Sequence, residues 1–286
     1  MSMMEHLVHF APLAERYDGF ILDLWGVIHD GVTPYPGAVD CLAHLKRLGK
    51  RTVLLSNAPR RAHVAQAAMR GMGIADDMYT GILTSGEATH SMLRNRLDPF
   101  FADLGTRIYH LGPERDRNVF ETLPLTLVAC PKDADFVLNT GPDDLGSSTD
   151  LEAWEHVLTA CLSAGLPMVC ANPDLEVIRG GSRLVCAGLL TQRYEELGGT
   201  ARWIGKPDSS IYGPVIEMLS VPKPRILAVG DALRTDIAGA SSVGLASCWI
   251  LGGIHAEEVG SDPVKIDAAA AAAGLSPVAC LPAFVW

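Results

Sequence analysis

Short apolar runs rich in Ile, Leu and Val recur along the chain, each closed by a polar residue and followed by a segment with helical spacing. The clearest are Phe20-Ile21-Leu22-Asp23, Thr52-Val53-Leu54-Leu55-Ser56-Asn57 and Arg225-Ile226-Leu227-Ala228-Val229-Gly230-Asp231. Uninterrupted apolar runs suit strands buried on both faces, and their alternation with helices predicts a parallel sheet covered on both sides. Over 38–48, Val39, Leu42, Leu45 and Leu48 repeat at intervals of three and Gly49 follows as a stop, which predicts a helix; 62–72 behaves likewise. In the middle third, 107–111, 136–138 and 168–171 read as strands and 151–164 as an amphipathic helix. Sheet elements of the first unit resume at Arg202-Trp203-Ile204-Gly205, and a helix near 210–219 leads into the strand before Asp231. The pattern therefore predicts an α/β fold with a discontinuous core, 1–82 and 200–286, and an inserted α/β unit, 83–199, without internal repeats or a long linker.

Composition narrows the class. The 286 residues suffice for one large or two modest domains, and 48% of them are hydrophobic, enough for a sizeable core and against wholesale disorder. Lys and Arg number 23 against 33 Asp and Glu, with no basic tract, which argues against a nucleic-acid or anionic-membrane surface. Any phosphate site must then be local. Cys41, Cys130, Cys161, Cys170, Cys186, Cys248 and Cys280 form no C-x-x-C, and several sit in apolar runs, as reduced, buried thiols of a cytoplasmic protein do. Met1-Ser2-Met3-Met4-Glu5-His6 lacks the charged and apolar regions of a secretory signal. The uncharged stretch 268–286 is alanine-rich and broken by Pro277 and Pro282, too weakly apolar to span a bilayer.

In an open parallel sheet ligands gather at the carboxyl ends of strands, where the polar residues fall. Asp23, directly after an apolar run, can attack phosphorus and form an acyl-phosphate, or simply cap the next turn. Ser56-Asn57-Ala58-Pro59-Arg60 closes a strand and opens a helix; its hydroxyl and backbone N–H groups suit a phosphoryl group, or a helix cap. Lys206, in Gly205-Lys206-Pro207-Asp208, is either a charge neutraliser or a turn residue. Gly230-Asp231-Ala232-Leu233-Arg234-Thr235-Asp236 places two acids five apart, hard oxygen donors of the kind Mg²⁺ takes. Arg60, Arg61 and Arg234 border these positions and either steer an anion or serve the surface. The pairs His6/His9 and Cys41/His44 lack the further ligands of a zinc site. Arg179-Gly180-Gly181 reads as a turn, and Asp143-Asp144 and Glu195-Glu196 as solvated faces.

Taken in order, the four motifs resemble those of the haloacid dehalogenase (HAD) superfamily of hydrolases. The insertion between the second and third motifs, with Thr84-Ser85-Gly86-Glu87-Ala88-Thr89 and Ala171-Asn172-Pro173-Asp174, is similar to subclass IIA, a branch of phosphatases. The resemblance spans nearly the whole chain and implies a Rossmann-like core with an inserted, mobile α/β cap. It further implies Asp23 as nucleophile, Ser56 and Asn57 as phosphate binders and Lys206 as charge stabiliser. Mg²⁺ would be bound by Asp23, the Trp25 carbonyl and Asp231, with Asp236 holding water on the metal. The substrate would be a small phosphorylated metabolite and the assembly a homodimer.

One position departs from that pattern. The family's general acid/base is an Asp two residues after the nucleophile, and here Trp25 stands there. An indole cannot serve, and such help is worth about 10² to 10⁴ in rate. Three explanations follow: His29 or Asp30, in His29-Asp30-Gly31, takes over the proton; the phosphatase is slow; or the chemistry differs. The rival readings are a metal-independent dehalogenase-type hydrolase and a non-catalytic homologue that binds a phosphorylated ligand. Retention of Asp231 and Asp236 favours Mg²⁺ and phosphate.

Overall fold

The computed structural model describes residues 4–142 and 151–286, so the expectation for Asp143-Asp144 lies outside the described residues. Among these, two parallel sheets form. The larger has seven strands in the order β1 (Glu5–His6), β14 (Ala279–Leu281), β13 (Ala246–Ile250), β12 (Ile226–Gly230), β2 (Gly19–Leu22), β3 (Arg51–Ser56) and β4 (Gly81–Thr84). Apart from the short, exposed β1, its strands are largely buried on both faces, and successive residues serve opposite sides, as the pleat requires. Phe20, Leu22, Leu54, Leu227 and Val229 join one core with Leu42 and Leu45 of the helix Ala38–Arg47. Ile21, Val53, Leu55, Ile226 and Ala228 join the other, against Tyr212, Val215 and Leu219 of the helix Tyr212–Leu219.

The second sheet has the order β11 (Ala201–Trp203), β8 (Met168–Cys170), β7 (Phe136–Asn139), β5 (Arg107–Leu111) and β6 (Thr126–Leu127). An antiparallel hairpin, β9 (Glu176–Arg179) and β10 (Ser182–Val185), stands apart from it. Its two-residue turn is Gly180-Gly181, at φ +54° and +80°, a left-handed pair that glycine enters without steric cost.

Two local expectations change. β11, read from sequence as part of the first unit, pairs with β8 in register Ala201↔Met168 and so belongs to the second sheet. A three-residue run carries no label for its partner; pairing depends on where β8 lies in space. The segment 151–164 opens with a 3₁₀ turn, Leu151–Trp154, before the helix Glu155–Ser163. Elsewhere the helix Ala62–Gly71 and strands β5, β7 and β8 fall where the periodicity places them. Among the described residues no helix is long and apolar enough to cross a membrane.

Candidate active site

β2 and β12 are neighbours, but the chain leaves β2 for β3 on one side and β12 for β13 on the other. A crevice opens at the carboxyl ends where the connections diverge. Asp23 follows β2, its N–H donating to the Val229 carbonyl at 2.9 Å. Asp231 follows β12, and Asp236 lies on a π-helical turn, Leu233–Ile237, that runs into the helix Ala238–Ser242. Asp23, Asp231 and Asp236 each bring a carboxylate oxygen within 4.8 Å of the others, a grouping of potential metal ligands among the described residues.

Lys206 ties this cluster together. Its ammonium, 3% exposed, lies 2.7 Å from Asp23 Oδ1 and 2.6 Å from Asp236 Oδ1, and donates to the Leu55 carbonyl at 3.0 Å. Burial opposes its charge, but Asp23, Asp236 and Asp174 outweigh it and hold Lys206 protonated beyond its ordinary range. Burial pushes the Asp23 carboxyl well up, with Lys206 pulling the other way. It lifts Asp231 to about 7, helped by Asp236 and opposed by the Ile254 N–H that donates to Oδ2 at 2.7 Å. Asp236 uses both oxygens on protein, Oδ1 on Lys206 and Oδ2 on the Ala232 N–H at 3.1 Å. Gly26, at φ +77°, lies against Asp231: a Cβ there would fall 2.1 Å from Oδ2. A side chain there would need both a left-handed backbone and the space Asp231 fills, so the position takes glycine.

Ser56 and Asn57 close β3, both buried. The Ser56 hydroxyl accepts from the Ala58 N–H at 3.2 Å, which leaves its own proton to donate. The Asn57 amide is engaged throughout. Its oxygen accepts from the Lys206 N–H at 2.8 Å and the Ser85 hydroxyl at 3.3 Å, and its nitrogen donates to Asp174 Oδ1 at 2.9 Å and the Lys206 carbonyl at 3.1 Å. Its geometry is that of a clamp on the Lys206 loop, not of a free phosphate donor.

The same amide draws in Asp174 of Asn172-Pro173-Asp174, a motif whose sequence context alone assigns it no role in the site. Burial raises its carboxyl, and Arg234 donates to the neighbouring Pro173 carbonyl. The three bordering arginines thus all have protein partners: Arg60 pairs with buried Asp116 at 3.0 Å and Arg61 with Glu87 at 2.7 Å.

Trp25 is half-buried between two clefts. The smaller, about 260 Å³, contains Asp23, Asp231 and Arg234; the larger, about 380 Å³, runs from Leu24 and His29 to the helix Ala62–Gly71 and the β9–β10 hairpin. Trp25 and Asp174 line both. The two flap residues expected to carry protons are placed otherwise. Asp30 turns Oδ1 onto the Thr33 and Val32 N–H groups, at 2.7 and 2.9 Å, which lower its pKa and make it a turn-former outside both cleft linings. His29 is buried, which depresses its pKa to about 4, and its Nδ1 accepts from the Gly31 N–H at 3.0 Å. It is therefore neutral near pH 7, with its proton on Nε2.

Features outside the site also resolve. Six of the cysteines are buried free thiols and Cys130 is exposed. His6 pairs with Asp267 at 3.0 Å, and Glu195 and Glu196 are exposed as the sequence predicts, Glu195 accepting from the Trp203 indole at 3.2 Å.

Comparison with known proteins adds the family context. The family described as haloacid dehalogenase-like hydrolase matches residues 20–126, and a HAD-hydrolase-like family matches 203–276. Chronophin of Rattus norvegicus is 30% identical over 248 residues, covering 84% of this chain and 78% of that protein. A crystal structure of a haloacid dehalogenase-like hydrolase from Brucella suis 1330 is similar at TM-score 0.84 and 32% identity, covering 98% of this chain and 100% of that one. Glycerol phosphate phosphatase of Mycobacterium tuberculosis, solved in complex with calcium, is similar at TM-score 0.62 and 25% identity, over 88% of this chain and 72% of that one.

Proposed function

The chain belongs to the haloacid dehalogenase-like hydrolases, subclass IIA, and is a phosphoric monoester hydrolase; on that premise we propose that it cleaves small phosphorylated metabolites through an aspartyl-phosphate on Asp23, with Mg²⁺. The observation that carries this reading is the bridge of Lys206 Nζ between Asp23 at 2.7 Å and Asp236 at 2.6 Å, beside Asp231.

Ionised together, the three carboxylates and one ammonium would carry two negative charges where a phosphate dianion has to enter, and their mutual repulsion is part of what raises the Asp23 and Asp231 carboxyls. The donor set fits a hard divalent cation: on Asp23, Asp231 and the Trp25 carbonyl it would cancel that charge and polarise the phosphoryl oxygens. The chain's own groups do the rest. Lys206 keeps Asp23 oriented for attack on phosphorus and opposes the burial that disfavours its ionised form. Asp236 holds Lys206 in place and presents acceptors beside the metal ligands. The Ser56 hydroxyl donates to the phosphoryl group, and Asn57 positions the Lys206 backbone and Asp174. The second sheet and its hairpin act as the cap, with Asp174 as its contact with the site. Six buried free thiols suit a reducing compartment, and we place the enzyme in the cytoplasm.

The test is phosphate release from a panel of phosphomonoesters with Mg²⁺ or with EDTA. Asp23→Asn, nearly isosteric, should lose turnover while circular dichroism and the thermal transition persist. Undiminished release in EDTA, or more than a few per cent of parent activity in Asp23→Asn, would transfer preference to a metal-independent hydrolase or another nucleophile.

A further inference from the structure

The flap leaves the reaction without a proton donor. Trp25 stands where the family carries its acid, Asp30 is committed to its turn, and His29 is neutral with Nδ1 already accepting a hydrogen bond. Trp25 is also pinned. A Cβ at Gly31, whose φ is +83°, would fall 2.0 Å from the indole Cη2, and the His29 ring meets the indole edge-on at 5.5 Å between centroids. The indole therefore stays between the clefts, and a proton for the leaving oxygen has to come from another wall.

Among the described residues, most titratable groups on those walls are taken. Asp116 is ion-paired with Arg60 at 3.0 Å, Glu176 with Arg183 at 2.7 Å and Glu258 with His255 at 2.9 Å. The other ring nitrogen of His255 accepts from the Leu233 N–H at 3.4 Å. Burial and the Asp231 charge push the Tyr35 phenol above its ordinary range, so it holds its proton too tightly to exchange it.

Asp174 differs from all of these. It lines both clefts, as Trp25 does, and shares the smaller with Asp23. Its Oδ1 accepts from the Asn57 amide at 2.9 Å, and among the described residues no hydrogen bond engages Oδ2. The loop that carries it is fixed on several sides. Its own N–H donates to Asn172 Oδ1 at 3.1 Å, its carbonyl accepts from the Gly188 N–H at 3.1 Å, and Arg234 holds the Pro173 carbonyl. Burial raises the carboxyl and Asp236 adds to the rise, while Lys206, the Asn57 amide and Arg234 oppose it without reversing it. Such a group keeps its proton further up the pH scale than an exposed carboxyl, which is what a general acid needs.

Resting on the proposed phosphatase reading, we propose that Asp174 is the catalytic acid and base of this chain, serving from the inserted unit the role that the family's Asp serves from the flap. As an Asp23 oxygen bonds to phosphorus and the bond from phosphorus to the leaving oxygen breaks, the proton on Asp174 Oδ2 passes to that oxygen, which departs as an alcohol. The Asp174 carboxylate then takes a proton from water as the water oxygen bonds to phosphorus and the bond from phosphorus to Asp23 breaks. Inorganic phosphate leaves, and Asp23 is again a carboxylate and Asp174 again a carboxylic acid.

The test is Asp174→Asn, which keeps an amide oxygen for the Asn57 hydrogen bond and removes the acid. With Mg²⁺, kcat/KM for glycerol phosphate should fall by about 10² to 10⁴, the scale of general acid–base help, whereas p-nitrophenyl phosphate, whose leaving oxygen needs no proton, should stay within about tenfold of the parent. Rapid mixing with p-nitrophenyl phosphate should nevertheless give a burst of nitrophenolate equal to the enzyme concentration, because the acyl-phosphate now waits for a base. Equal losses on both esters without a burst would make Asp174 a support for Asn57 alone and overturn the assignment. The parent supplies a second measurement if the variant does not fold. Ethyl and trifluoroethyl phosphate, of similar size, should differ in kcat/KM by about tenfold or less, since a leaving oxygen protonated as it departs hides the difference between their alkoxides; a preference of about 10² or more for the fluorinated ester would also overturn the assignment. No release from any of the four esters would instead overturn the proposed function itself.

Discussion

Replacing Asp231 by asparagine should stabilise the metal-free protein at neutral pH while removing its activity. The carboxyl is buried among like charges, which raises its pKa from 3.8 to about 7, so the folded state resists its ionisation. Below pH 3.8 it is protonated in both folded and unfolded chains and costs nothing. Between 3.8 and about 7 the unfolded chain ionises and the folded one does not, so stability falls with rising pH at 1.36 kcal/mol per unit. The accumulated penalty is about 1.6 kcal/mol at pH 5 and levels off near about 4 kcal/mol above pH 7. Asparagine removes the charge, and its amide oxygen can still accept from the Ile254 N–H. Urea unfolding followed by tryptophan fluorescence in EDTA, at pH 5, 6, 7 and 8, should give a midpoint advantage for Asp231→Asn that grows with pH and then flattens. In Mg²⁺ the advantage should shrink or reverse, since the cation stabilises only the ionised site. A variant less stable than the parent at every pH in EDTA, or a pH-independent difference, would refute the reasoning.

Two further outcomes follow from the flap. Because burial holds His29 near a pKa of about 4, folding loses stability as the pH falls from 6.5 through 4, by up to about 3 kcal/mol; His29→Asn should flatten that acid limb in denaturation curves, and its kcat profile should show no lost inflection near pH 6 to 7. Gly31→Ala, forced onto the indole and into a left-handed conformation, should cost about 1 to 3 kcal/mol in thermal denaturation; a variant as stable as the parent would show that Trp25 is free to move.

Much of the frame was legible in the chain because it depends on neighbours along the backbone. Strands buried on both faces need continuous apolar runs, and a polar residue directly after such a run has to emerge at the sheet's edge. That is why Asp23, Ser56 and Asp231 were readable as candidates, and why their spacing identified the family. Only the tertiary structure decided what depends on distance through space. Pairing with β8 assigned β11 to the second sheet, and the Asn57 amide brought Asp174 to the site across 117 positions of sequence. Asp116, Glu87 and the Pro173 carbonyl claimed the arginines that border the crevice. His29 and Asp30 look equally able to carry a proton as letters. Burial and a Gly31 N–H occupy one, and two backbone donors occupy the other, because a side chain's protonation follows from the groups within a few ångströms of it, and the order of residues along the chain does not record them.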